Sequence, residues 1–363
     1  MNPNTKKLHD LGQSLWLDNI NRELLENGTL ARYIAELSVT GLTSNPTIFE
    51  QAIGHSNFYD DSITDLARRG ESTESLFFAL ALQDVTAAAD LFQPVFKASG
   101  GIDGWVSLEV SPLLANNAAK TIRAAAELHE AADRENLFIK IPGTPAGIEA
   151  IEESIFDGVH VNVTLLFSRE HYVAAAEAYL RGLERRHEAG LDLKVASVAS
   201  LFVSRWDVAV AEQVSPSFHN RLGIAIAMRT YRAYRELLAS PRWQRLAQAG
   251  AYPQRLLWAS TGTKDPTESD TLYVQALAAP DTINTIPEKT LNAFAEHGKV
   301  DAVLPADGGH AEAVLAEFRR EGIDDEVLAA RLQKEGADAF SLSWHSLLAR
   351  LEEKRGSLSG NST

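Results

Sequence analysis

Lys140 lies in the run Leu137-Phe138-Ile139-Lys140-Ile141-Pro142-Gly143, and its surroundings suggest covalent chemistry. Apolar neighbours on both sides place it on a buried strand. Burial there works against the charged ammonium, and a neutral amine attacks carbonyl carbon. A lysine so placed can equally bind a phosphate or pair with a carboxylate, and taken alone it leaves all three readings open. Two carboxylates, Asp18 in LWLDNI and Glu109 in GWVSLEV, hold comparable places in or just after apolar runs. Together they could move protons in both halves of a Schiff-base reaction, whereas singly each reads as well as half of a buried ion pair. Arg205 and Lys264 stand near Ser200 and Ser260, a donor set suited to a phosphate, with a salt bridge from Arg205 to Asp207 as the competing assignment. Asn45, Asn162 and Thr164 complete the polar residues at the ends of such runs.

What must position these residues is a set of short β-branched runs, each followed by a longer stretch of helical period. Eight runs occur, near 15–20, 37–45, 104–110, 137–143, 159–167, 194–203, 255–261 and 281–287. Eight is the number a closed (β/α)8 TIM barrel needs, and in that fold the carboxyl ends of the strands carry the active site. The expected architecture is therefore α/β, a closed barrel with additional helices, forming one domain over 1–355. A helical insertion around 50–100 separates the second and third strands, a helical extension follows over 299–355, and 356–363 reads as a flexible tail. A doubly wound open sheet is the rival. It usually carries a glycine-rich phosphate loop after its first strand, and WLDNINRELLENG has none.

Composition narrows the chemistry further. With 45% apolar and 23% charged residues, the 363-residue chain can bury a full core. It has no cysteine, which removes thiol nucleophiles, disulfides and thiolate metal sites. His160, His297 and His310 show no zinc-like pairing with a third ligand, so no metal and no cofactor is called for. The formal charge of −15 disfavours nucleic acid or anionic lipid as a partner, and leaves an anionic metabolite in need of local cations such as Arg205 and Lys264. No run of about 18 apolar residues stands out and the first residues lack an apolar leader, so no membrane is expected and the cytoplasm is the default location. A homo-oligomer is left open.

Taken in order, WLDNI, TSNPTIF, SLEVSP, LFIKIPGT, NVTLLFS, SLFVSR and WAST resemble the motifs of the transaldolase family, over residues 8 to about 290. The resemblance implies a (β/α)8 barrel with its Schiff-base lysine on strand four, which the independent strand count also assigns to Lys140. It implies that Lys140 forms an imine with the C2 carbonyl of a ketose phosphate while Asp18 takes the C4 hydroxyl proton. Glu109 and Thr164 would handle protons through a water, and Asn45 and Asn162 would hold the hydroxyls of the dihydroxyacetone unit. Small sugar phosphates would be the substrates, in the non-oxidative pentose phosphate pathway, bound through Ser200, Arg205, Ser260 and Lys264. Related fructose 6-phosphate aldolases carry a tyrosine where this chain has Phe202, which favours a transferase over a lyase. A lyase of that kind and a noncatalytic sugar-phosphate barrel remain the alternatives. Two departures stand out: Leu201 and Ser204 replace a common proline and glycine, and Gly262 replaces a common arginine, leaving Lys264 to supply the cation.

Overall fold

All eight runs form strands: β1 Ser14–Asp18, β2 Val39–Thr43, β3 Trp105–Glu109, β4 Leu137–Pro142, β5 Val161–Leu166, β6 Ser197–Phe202, β7 Gln254–Ala259 and β8 Ile283–Ile286. A computed structural model describes residues 1–54 and 56–360. In it every strand pairs in parallel with its neighbour in chain order, and β8 returns to β1 with Ser14 opposite Ile283, closing the barrel. Parallel neighbours require long crossovers, and helices in the connections supply them.

Side chains alternate across each strand, so each strand feeds two compartments. Outward residues such as Leu15, Leu17, Val106, Leu108, Ile139 and Ile141 pack beneath the surrounding helices. A second cluster includes Trp16, Trp105, Phe138, Val198, Leu257 and Ile283, which fill the barrel interior. Trp16 of β1 and Phe138 of β4 come from strands that are not neighbours, yet their ring centroids lie 6.1 Å apart across that interior. The Trp16 indole fits because Gly41 faces it: a Cβ there would lie 2.5 Å from Nε1. Above this apolar layer the inward positions turn polar, at Asp18, Thr43, Glu109, Lys140, Thr164, Ser200 and Thr285. The amino-terminal end is closed by Arg255, which pairs with Asp103 at 3.2 Å and donates to Ser14 Oγ at 2.6 Å.

The insertion between β2 and β3 contains helices Pro46–Gly54, Asp60–Ala67 and Thr73–Ala98. By length and composition the last of these could cross a membrane, which corrects the expectation that no such stretch exists. Gln83, Asp84 and Asp90 interrupt the run to the eye. One face is buried through Leu76, Phe77, Leu80, Val85 and Phe92, and Asp84 pairs with Arg22 at 3.0 Å, as expected of a helix packed on a barrel. After β8, helix Glu288–His297 is followed by irregular chain, then by helices Ala311–Arg320 and Asp325–Gly360. The extension is thus helical from Ala311 rather than from 299. Its last helix continues through Gly360, so the segment expected as a tail from 356 begins as helix, and 361–363 lie outside the described residues.

Candidate active site

Register sets the centre of the site. Glu109 of β3 stands beside Lys140 of β4, which in turn stands beside Asn162 of β5. Lys140 Nζ lies 3.0 Å from Glu109 Oε2 and donates to the Ser44 carbonyl at 2.9 Å, with both charged side chains buried. The lysine is therefore paired at rest rather than surrounded only by apolar groups, so the pairing left open by the sequence is present. A buried ion pair contributes little net stability compared with an apolar pair of the same volume. Its position at the strand ends therefore calls for an explanation from chemistry. Burial pushes the Glu109 carboxyl above its ordinary value; the Lys140 charge pulls it back, and Asp18 adds to the rise.

Asp18 keeps part of its surface open to a cavity, but the cavity itself lies deep in the barrel, so burial pushes this carboxyl up as well. Lys140, a hydrogen bond from Thr43 Oγ1 at 2.9 Å and the more distant Lys264 act against that rise. Thr43 Oγ1 also contacts Thr285 Oγ1 at 2.6 Å, which links the Asp18 environment to β8. The cavity has a volume of about 140 Å³, and Asp18, Asn45, Lys140, Thr164, Ser200, Phe202, Arg205, Ser260 and Lys264 all line it. Nine of the eleven residues singled out from sequence thus face one space.

The other two lie behind it. Glu109 meets the cavity through Lys140. Asn162 is fully buried, donating to Ser107 Oγ at 3.0 Å and accepting from Ser200 Oγ at 2.7 Å. Its amide thereby ties β3, β5 and β6 together and sets the orientation of Ser200. Asn45 Oδ1 accepts from the Ile48 amide at 3.0 Å, which caps the helix after β2 while the residue still lines the cavity. Thr164 Oγ1 is buried with no hydrogen-bond partner among the described residues.

Arg205 makes no ion pair among the described residues. Asp207 instead accepts from the Leu222 and Gly223 amides and from Tyr273 Oη at 2.8 Å, so the competing assignment for Arg205 does not hold. The Arg205 guanidinium lies over the Phe202 ring at 5.5 Å, half-buried, and burial draws its affinity for the proton down. Next to it, Ser204 Oγ contacts Ser260 Oγ at 2.9 Å and the Ser204 amide donates to the Ser260 carbonyl, joining the loops after β6 and β7. Ser260 adopts φ +57, a left-handed conformation that costs a serine about 1–2 kcal/mol and is most often tolerated near functional sites. Gly262 is buried beneath that turn, where a Cβ would come within 3.3 Å of Pro287 Cγ. A Cβ there would lie 3.8 Å from Lys264 Nζ, so the Lys264 ammonium reaches over the position where the longer side chain is missing.

Several contributors escaped sequence reasoning. Thr43, Ser107 and Thr285 are small polar residues of ordinary type, and the Ser44 contact is made by a backbone carbonyl. Phe340, from helix Asp325–Gly360, also lines the cavity, and nothing in the local sequence signals it. No group of three His, Asp or Glu side chains placed to hold a metal occurs among the described residues. The arrangement offers a buried amine with a carboxylate to exchange its proton, a second carboxylate facing the same space, and two cations at the rim.

Comparison with known proteins adds to this geometry. The family model for transaldolase/fructose-6-phosphate aldolase matches residues 15–351. A transaldolase of Thiobacillus denitrificans is 46% identical over 355 residues, covering 96% of this chain and 99% of its own. A transaldolase of a Parafrankia species is 44% identical with 97% and 99% covered, and one of Thermobifida fusca is 44% identical with 96% and 97% covered.

Proposed function

Because the chain belongs to the transaldolase/fructose-6-phosphate aldolase family and is an enzyme with transaldolase activity, we propose that Lys140 carries the transferred unit as an imine. One observation carries this assignment: the Lys140 amine sits 3.0 Å from a carboxylate and opens on the cavity that Asp18, Arg205 and Lys264 also line. A Glu109 carboxyl pushed up by burial takes the ammonium proton at lower cost, which frees the amine to attack the C2 carbonyl of a ketose phosphate. Glu109 and Thr164 then pass protons through a water as the carbinolamine loses its hydroxyl. The free Thr164 hydroxyl supports that role.

In the imine, Asp18 takes the C4 hydroxyl proton and the C3–C4 bond breaks. The electron pair flows into the imine nitrogen, and an aldose phosphate leaves. The three-carbon unit remains on Lys140 as an enamine, a stabilised carbanion equivalent. Its C3 attacks the aldehyde of a second aldose phosphate, Asp18 returns the proton to the new hydroxyl, and hydrolysis of the imine regenerates the amine. Asn45 holds hydroxyls of the bound unit, while Asn162 acts from behind by orienting Ser200. Arg205 and Lys264 hold the phosphate, with Ser260 beside them. The donors we assign are sedoheptulose 7-phosphate and fructose 6-phosphate and the acceptors erythrose 4-phosphate and glyceraldehyde 3-phosphate, as in the non-oxidative pentose phosphate pathway of the cytoplasm.

A lyase on this scaffold would release dihydroxyacetone instead of transferring it. Phe202 favours transfer, since it presents an apolar ring, packed 5.3 Å from Phe167, where a hydroxyl would otherwise deliver a proton to the enamine. Incubation with fructose 6-phosphate alone distinguishes the two. The transferase reading expects release of free dihydroxyacetone to be slow and glyceraldehyde 3-phosphate to stop near one equivalent of enzyme until an acceptor is added. Steady multiple turnover without acceptor would establish the lyase.

A further inference from the structure

Helix Asp325–Gly360 has 36 residues, about 54 Å at the usual rise, enough to cross the whole mouth of the barrel. Gln333, Gly336 and Phe340 recur along it at spacings of three and four, which places them on one stripe. Gln333 Nε2 donates to the carbonyls of Gly143 at 2.9 Å and Leu165 at 3.0 Å, at the carboxyl ends of the strands carrying Lys140 and Thr164. Leu165 has φ +59 where the β5–β6 register shifts, which exposes its carbonyl to this contact. Gly336 marks the closest approach, since a Cβ there would lie 2.9 Å from Leu165 Cδ2. Phe340 follows one turn later, only 6% exposed, with its ring lining the cavity.

Both ends of the helix are anchored elsewhere. Asp325 is held by Arg229 at 2.6 Å and Arg319 at 2.9 Å. Beyond Phe340, the Trp344 ring centroid lies 4.9 Å from that of Phe77, and Lys354 pairs with Asp60 at 2.7 Å. Phe340 is thus a fixed wall supplied by an element outside the barrel.

We propose that Phe340 is a positioning residue that keeps water from the three-carbon unit on Lys140 and so sets the ratio of transfer to release. The inference rests on the imine assignment above. In the competing step, C3 of the enamine takes a proton from water or from protonated Asp18. Water then adds to the imine carbon, and free dihydroxyacetone leaves as the Lys140 amine is restored. Shortening Phe340 opens the cavity to that water without removing any proton-moving group.

The test compares Phe340→Ala and Phe340→Leu with the unsubstituted enzyme, measuring dihydroxyacetone released per transfer event with fructose 6-phosphate and a saturating acceptor. Borohydride adduct formation on Lys140 and the thermal midpoint are followed in parallel. The expected result is a rise in the release-to-transfer ratio of about tenfold or more for Phe340→Ala, with Phe340→Leu near the unsubstituted value and the adduct retained. An unchanged ratio in a folded, adduct-forming Phe340→Ala protein overturns the proposal, and so does an equal rise in both variants, which would mean the whole helix has moved. Absence of an adduct in the unsubstituted enzyme would instead remove the imine assignment on which the inference rests.

Discussion

Arg205 is the residue whose removal has the most specific expected consequence. Its guanidinium is half-buried with no carboxylate within ion-pair distance among the described residues, and burial alone shifts its proton affinity. Such a charge is costly until an anion arrives. A charge-assisted hydrogen bond contributes about 1.5–3 kcal/mol, and about 1.4 kcal/mol is a factor of ten, so Arg205→Ala should raise KM for sugar phosphates by ~10- to 150-fold. The reacting centre is untouched, so kcat should change by less than about threefold. Because the substitution removes an uncompensated charge and breaks no ion pair, the thermal midpoint should stay within about 2 °C of the parent or rise. Steady-state kinetics with fructose 6-phosphate, inhibition by inorganic phosphate and a melting curve measure all three. A midpoint lower by more than about 5 °C with KM unchanged would mean instead that Arg205 holds the fold together and binds no phosphate.

Two further outcomes follow from neighbouring residues. Lys264 is exposed at the rim, so Lys264→Ala should raise KM less than Arg205→Ala does, by ~2- to 5-fold, and the effect should shrink in high salt; equal effects at low and high salt would argue against a rim phosphate contact. Burial pushes the Asp207 carboxyl from 3.8 up to about 6, with hydrogen bonds from Tyr273 and from the Gly223 and Leu222 amides acting the other way. The folded state therefore binds this proton more tightly than the unfolded chain, and ionised Asp207 opposes folding above its raised value. Relative to Asp207→Asn, the parent should gain up to about 3 kcal/mol of stability as pH falls from about 7 to about 4, measurable by urea unfolding at both ends. A difference that stays flat or reverses over that range would show that the carboxyl is not raised.

The strands and the site were legible for the same reason. Alternation along an apolar strand decides which side chains turn inward, and Lys140, Asp18 and Glu109 are charges that such a position would not tolerate without a purpose. Resemblance to the transaldolase motifs then supplied roles that residue types alone left open. The fate of Arg205 needed the fold, because Asp207 is only two residues away in sequence, yet Leu222, Gly223 and Tyr273 claim it in three dimensions. The family resemblance implies a substrate contact for Asn162, whereas its depth in the sheet puts its amide to work between Ser107 and Ser200. Phe340 was illegible for another reason: its place at the cavity depends on the docking of a helix nearly two hundred residues after Lys140 in the chain. The helix Thr73–Ala98 was misjudged because two acids hid its overall apolar character, and only the barrel against it explains why that character is needed.

The covalent bond at Lys140 is the step on which the whole proposed reaction turns. Reduction with borohydride in the presence of fructose 6-phosphate, followed by peptide mass spectrometry, tests it most directly. A single reduced three-carbon adduct on the peptide containing Lys140 is expected, with glyceraldehyde 3-phosphate released in step, and neither in Lys140→Ala. An adduct on Lys264 or another lysine, or none with the parent enzyme while transfer activity persists, would contradict it.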